Sequence, residues 1–189
     1  MNSMRGVLMI LSGPSGVGKD TVIEAWRAID PTVHRVVAYA TRDPRPGEVN
    51  GYDYHFISRE DFLEKAEKGE FLEYKEVHGN FYATPLTDME QMLAEGTVAI
   101  LKIDVHGALE AMKLRPDAVS VFLLPPSEQE LERRLRGRGT EDEEKLQIRL
   151  ANALGELALA AHYQHQVRNE SVEEVVAELA EIVRKERGK

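Results

Sequence analysis

Five consecutive apolar residues, Val7 to Leu11, run into Gly13-Pro14-Ser15-Gly16-Val17-Gly18-Lys19, and helical spacing takes over directly afterwards, with Val22, Ile23 and Trp26 on one side and Asp30-Pro31 closing the segment. An apolar run of this length bounded by glycine predicts a strand covered on both faces, the central position of a parallel sheet. Strand, glycine loop and helix in that order are the context in which a Gly-x4-Gly-Lys string forms a phosphate loop. The glycines let the backbone curl so that successive N–H groups face inward, and the helix beginning there adds its positive end. Lys19 adds a point charge for the outer phosphates. The motif ordinarily continues with Ser or Thr to hold magnesium, whereas this chain has Asp20, with Thr21 next to it. A carboxylate can ligate magnesium directly, so Asp20 is the metal candidate and Thr21 an alternative hydroxyl. The same letters also describe a glycine turn that caps a helix and binds nothing, a reading that the strand–loop–helix context disfavours.

The rest of the chain alternates in the same manner. A strand is expected over His34 to Tyr39, then an aperiodic loop from Arg42 to Gly51. Ser58 with Asp61 resembles a capping box and predicts a helix through Lys68 with Phe62, Leu63 and Ala66 apolar. Phe71 to Val77 and Phe81 to Ala83 predict a hairpin around His78-Gly79-Asn80. Helices over Leu86–Glu95 and Gly107–Leu114 then alternate with strands over Thr97–Ile103 and Ala118–Leu124, which implies a parallel sheet covered by helices. Ser127 caps an arginine-rich helix that Gly137-Arg138-Gly139 breaks. A long helix from about Asp142 to Ala161, a short strand near Val167 and a final helix from Ser171 complete the pattern. The fold class expected is α/β: a P-loop core with a parallel sheet flanked by helices, a small α+β insertion and a helical lid. The corresponding boundaries are 1–37, 86–133 and 161–189 for the core, 38–85 for the insertion and 134–160 for the lid, within one domain.

Charge and composition remove several alternatives. A net charge of −9 disfavours a nucleic-acid partner, since affinity for phosphate backbones rests on an excess of Lys and Arg. The chain has no cysteine, so disulfides, thiolate metal sites and cysteine nucleophiles are excluded. No stretch approaches the roughly 20 apolar residues that cross a bilayer, and Val7–Leu11 is too short for a signal peptide. No membrane partner and a cytoplasmic location are expected.

Arg42 and Arg45 stand three residues apart on the aperiodic loop, with Tyr54 and Tyr82 further on. Two guanidinium forks joined by phenolic hydroxyls suit a doubly charged phosphate monoester, although loop arginines are also simple solvated charges. Glu73 is a strand carboxylate, equally readable as exposed or as an acceptor for a paired donor edge. Thr41-Arg42-Asp43-Pro44-Arg45-Pro46-Gly47-Glu48, Gly51, Asp53-Tyr54 and Gly79-Asn80-Phe81-Tyr82 closely resemble the signature of guanylate kinases. With the phosphate loop and the arginine segment the similarity covers almost the whole chain. The resemblance implies transfer of the γ-phosphoryl group of ATP to GMP, with magnesium as cofactor. It places the GMP phosphate on Arg42, Arg45, Tyr54 and Tyr82, guanine on Glu73 and Thr84, and Asp104 as an acid at a strand end beside the acceptor. It also marks departures: Ala38 for a serine, Lys102 for an aspartate and His106 for a glutamine.

Arg134 stands before and Arg138 inside the Gly137-Arg138-Gly139 break, and Arg149 follows on the next helix; all three match lid arginines of that family. Cations brought in by closure stabilise a migrating phosphoryl group and exclude water. Catalytic roles are therefore expected for Lys19, Arg42, Arg134, Arg138 and Arg149. ATP contacts are expected from Gly13, Pro14, Ser15, Gly16, Val17, Gly18, Lys19, Asp20 and Thr21, and from Asn169, which matches an adenine-reaching position. Arg133 and Arg136 are expected on a solvated face beside acidic neighbours. The assembly is expected to be a monomer or a homodimer. Two rivals are a kinase of phosphorylated ribose, which has no base edge for Glu73 and Thr84 to read, and a non-catalytic binding module of guanylate-kinase type, which retention of Lys19 and the arginines disfavours.

Overall fold

The computed structural model describes residues 5–77, 79–137 and 143–189. β1 (Val7–Ser12) leads through the glycine loop into α1 (Lys19–Ile29), then β2 (Val33–Arg35), β3 (Tyr39–Ala40), β4 (His55–Phe56) and α2 (Arg59–Glu67). The hairpin β5 (Phe71–Val77) and β6 (Asn80–Pro85) precedes α3 (Leu86–Ala94), β7 (Val98–Lys102), α4 (Val105–Leu114) and β8 (Val119–Leu124). α5 (Glu128–Arg136), α6 (Glu143–Leu157), a 3-10 turn over Ala158–His162, β9 (His165–Arg168) and α7 (Val172–Arg187) follow.

Every residue of β1 is buried, and β1 is the middle of a parallel five-stranded sheet of order β2-β7-β1-β8-β9. Alternate side chains of β1 go to opposite faces, as pleating requires. Val7, Met9 and Leu11 pack with Val22, Ile23 and Trp26 of α1 and Leu179 of α7, whereas Leu8 and Ile10 pack with Met89 of α3 and Ala108 of α4. Helices thus cover both faces, which explains the unbroken apolar reading of the strand.

A second sheet, of order β4-β3-β6-β5, carries its own core of Phe62, Phe81 and Ala83, with Phe62 and Phe81 stacked at 5.2 Å. A further apolar cluster joins α5 and α6 through Leu131, Leu135, Leu146 and Ala153. Three of the sequence expectations need correction. The strand predicted over His34–Tyr39 is two strands in two sheets, because after Arg35 the chain leaves the first sheet and Tyr39 pairs with His55 and Ala83 in the second. Leu63 is 42% exposed, since α2 buries only Phe62 against the second sheet. α4 begins at Val105 rather than Gly107, because the Asp104 carboxylate accepts from the Gly107 N–H and acts as the N-cap.

Candidate active site

Parallel strands expose their carboxyl ends on one edge, where ligands of open α/β sheets bind. Here β1 ends in the glycine loop on that edge. Gly13 has φ 146°, and a Cβ on it would lie 2.5 Å from the Leu123 carbonyl oxygen. Gly18, at φ 103°, leaves room for the Asn169 amide, which a Cβ would meet at 2.7 Å. Side chains at these two positions would be strained twice over, by dihedral and by space.

Lys19 lies half-buried under the loop, its Nζ donating to the carbonyls of Gly13 at 2.5 Å and Pro14 at 3.2 Å. Burial, only partly countered by Glu156, pulls its pKa down to about 8. Arg134 and Asn169 both donate to the Val17 carbonyl, at 3.2 and 2.8 Å, so α5 and the end of β9 strap the loop from outside. Thr21 lines a neighbouring cavity with Arg134 and Asn169, on a different side of the loop from Asp20. Asp20 accepts from Lys102 Nζ at 2.5 Å and lies 3.6 Å from Arg35; burial pushes its pKa up, and these cations more than reverse that.

Across the cleft, Arg42 forms a two-pronged bridge to Glu48 at 2.6 and 2.7 Å and lies over the Tyr54 ring at 5.2 Å. The Arg42 hydrogen bonds hold Glu48 down to about 2, and the bond to Glu48 raises Arg42. The Arg45 N–H also donates to Glu48, at 2.7 Å, while its side chain is exposed. Tyr54 and Tyr82 meet edge to face at 6.0 Å. Glu73 and Thr84 are paired residues of β5 and β6, and the Thr84 hydroxyl donates to Glu73 at 2.6 Å. Burial raises the Glu73 carboxyl above its ordinary range. Lys75, also on β5, donates to Asp104, joining the second sheet to the α4 cap.

One cavity of about 410 Å³ is lined by Gly13, Lys19 and Asp20 at one end and by Arg42, Arg45, Tyr54, Glu73, Tyr82 and Thr84 at the other, with Ala38, Lys102 and Asp104 between. Of the remaining predicted residues, Arg149 is half-buried on α6, and Arg138 lies outside the described residues. Arg133 and Arg136 pair with Glu130, Glu132 and Glu143 on the surface, as their charge pattern predicts. His106 is exposed in the first turn of α4.

Four residues with no role in the sequence reading belong to this site: Arg35, Glu48, Lys75 and Glu156. Arg35 donates to the carbonyls of Tyr52 and Asp53, and the Tyr52 hydroxyl donates to Glu24 at 2.9 Å, which ties the arginine loop to β2 and α1. Glu156, from α6, faces Lys19, and burial raises its pKa. Only Glu48 carried a signal, its place within the motif string; the others are brought in from distant segments.

Among the described residues no group of three or more His, Cys, Asp or Glu could hold a metal alone. Magnesium, however, commonly binds through one or two carboxylates plus substrate phosphates and water. Asp20, with its side chain 63% exposed at the loop's mouth, fits that donor set.

A central parallel strand that feeds a glycine loop with a half-buried lysine, opposite an arginine and tyrosine cluster, defines a P-loop α/β phosphotransferase. A profile of guanylate kinase matches residues 5–186. The chain is 45% identical to the guanylate kinase of Rubrobacter xylanophilus over 181 residues, covering 96% of this chain and 95% of that one. It is 43% identical to that of Aromatoleum aromaticum over 184 residues, 97% and 90% of the two chains. The crystal structure of guanylate kinase from Anaplasma phagocytophilum superposes with a TM-score of 0.77 at 34% identity, covering 98% of this chain and 88% of that one. A shikimate kinase from Bacteroides thetaiotaomicron, 17% identical with a TM-score of 0.50 over 94% of this chain and 98% of that one, shares the fold alone. The chain belongs to the guanylate kinase family.

Proposed function

We propose that the protein transfers the γ-phosphoryl group of ATP to GMP, giving ADP and GDP. The observation that carries this reading is the single cavity joining the phosphate loop to the arginine, tyrosine and Glu73–Thr84 cluster. In this reading a GMP phosphate oxygen attacks the γ-phosphorus in line. A new P–O bond forms as the bond to the bridging β–γ oxygen breaks, and ADP leaves with that electron pair; no covalent enzyme intermediate is involved. Lys19 exchanges its carbonyl partners for phosphate oxygens. Arg42 and Arg45 orient the acceptor, and Arg134, Arg138 and Arg149 add positive charge from the lid segment 134–160. The insertion 38–85 carries GMP and the core, 1–37, 86–133 and 161–189, carries ATP, with Asn169 beside adenine. Magnesium, bound with ATP, would neutralise phosphate charge, and Asp20 would be its protein ligand. Among the described residues no helix is long and apolar enough to cross a membrane.

Guanine presents a ring N–H and an amino group side by side, and a carboxylate accepts both, whereas adenine lacks that edge. A site that reads polar groups rejects an analogue lacking them by about 10⁴–10⁵-fold. An assay of ADP release with GMP, AMP, CMP and UMP is expected to show at least about 10³-fold higher kcat/KM for GMP, within that range's reach. Equal rates on all four would reject the guanine assignment.

Glu48 holds Arg42 by two charge-assisted bonds, so Glu48→Gln removes charge and one acceptor without removing volume. Bonds to charged groups contribute about 1.5–3 kcal/mol, so the KM for GMP is expected to rise about tenfold with kcat within about twofold. An unchanged KM would mean that Arg42 keeps its orientation without Glu48.

A further inference from the structure

Lys102 ends β7 in register with Leu11 of β1, so its side chain leaves the sheet on the edge where the glycine loop begins. Its ammonium lies 2.5 Å from Asp20, and both line the cavity that holds Lys19. The Asp20 carboxylate is largely exposed, and exposed ion pairs contribute little to stability, so the fold does not require this contact. Its location matters more. Phosphate loops of this pattern continue with a neutral hydroxyl residue after the lysine. A carboxylate there adds negative charge against an incoming polyphosphate, and repulsion at such range is strong where water is displaced. Lys102 returns the local charge to that of a hydroxyl. Arg35, at 3.6 Å, is a weaker second partner because it also holds the Tyr52 and Asp53 carbonyls.

We propose that Lys102 is a phosphate-positioning cation of the nucleotide site and that Asp20 and Lys102 act as one unit. Without nucleotide each satisfies the other. With nucleotide Lys102 turns to phosphate oxygens, and the Asp20 carboxylate is released toward the metal side. The two departures from the family pattern, at positions 20 and 102, are on this account one reciprocal change. The inference rests on the nucleotide-kinase reading of the same cavity.

The test is a double-mutant cycle on Asp20→Ser and Lys102→Met, with Lys102→Arg as the conservative variant, read by calorimetric ATP binding in EDTA and again with magnesium. Lys102→Met is expected to weaken ATP binding in EDTA about tenfold or more, because Asp20 then faces the phosphates without its nearest counter-charge. Adding Asp20→Ser should recover most of that loss, and Lys102→Arg should bind within about threefold of the parent. Asp20→Ser alone should tighten ATP binding in EDTA by no more than about threefold, well short of the gain it gives in the Lys102→Met background, and should shift the magnesium midpoint. Equal affinity of parent and Lys102→Met in EDTA, with circular dichroism showing both folded, overturns the proposal. So do effects at the two positions that simply add. A parent protein that binds no ATP under either condition would instead overturn the kinase reading itself, and this proposal with it.

Discussion

Lys19→Met is expected to lower kcat for phosphoryl transfer by about 10²–10³-fold, the loss typical of removing one preorganised donor from developing charge. The same substitution should leave the nucleotide-free protein as stable as the parent or more so. The reason is that the Lys19 ammonium is held by two neutral carbonyls and depressed to about 8, chiefly by burial. Burying a charge without a full counter-charge costs free energy that a bound polyphosphate would offset. The pH dependence carries the sign. Because the folded value, about 8, lies below the ordinary 10.5, the unfolded chain binds more protons between those limits. Stability contributed by this site therefore rises with pH from about 8 to about 10.5 and is flat in the methionine variant. Thermal melts of both proteins across that window, beside steady-state kinetics, separate a catalytic lysine from a structural one. A variant that loses both stability and activity would show that Lys19 holds the loop rather than the substrate.

Glu73→Gln is expected to reduce kcat/KM for GMP by about 10²-fold while leaving that for AMP and the KM for ATP within about twofold. A glutamine oxygen still accepts one guanine donor, but its amino group opposes the other, and hydrogen bonds to a charged acceptor are the stronger kind. The Thr84 hydroxyl fixes the carboxylate from the facing strand at 2.6 Å, so relaxation around the change is restricted. Burial raises the Glu73 pKa, with Lys75 and Thr84 opposing and Asp104 reinforcing that rise. Reading guanine requires the ionised form, so the KM for GMP should climb on acidification before ordinary surface carboxylates titrate. The glutamine variant should lack that acid limb. Unchanged discrimination among the four monophosphates would show that the base is read elsewhere.

The phosphate loop was legible because it is local. Seven contiguous residues specify positive-φ positions, and the patterns on either side specify a buried strand and an amphipathic helix. The capping serines at 58 and 127 were legible for the same reason: each accepts from an N–H three residues on. Periodicity failed where one apolar run served two sheets, since alternation from Val33 to Ala40 does not mark the point at which the chain changes partners. The roles of Lys75 and Glu156 left no trace in the sequence, for Lys75 alternates like its neighbours on β5 and Glu156 is one of several acids on α6.

By itself, then, the sequence determined the α/β class, the phosphate loop and the family, because each rests on residues that are neighbours along the chain or on a motif string. Tertiary structure alone decided the electrostatics of the cavity: that Asp20 meets Lys102 across 82 positions and Lys75 meets Asp104 across 29. Coulomb interactions depend on distance in space, and it is the crossover order of the sheet, with β7 beside β1, that converts those separations into contact.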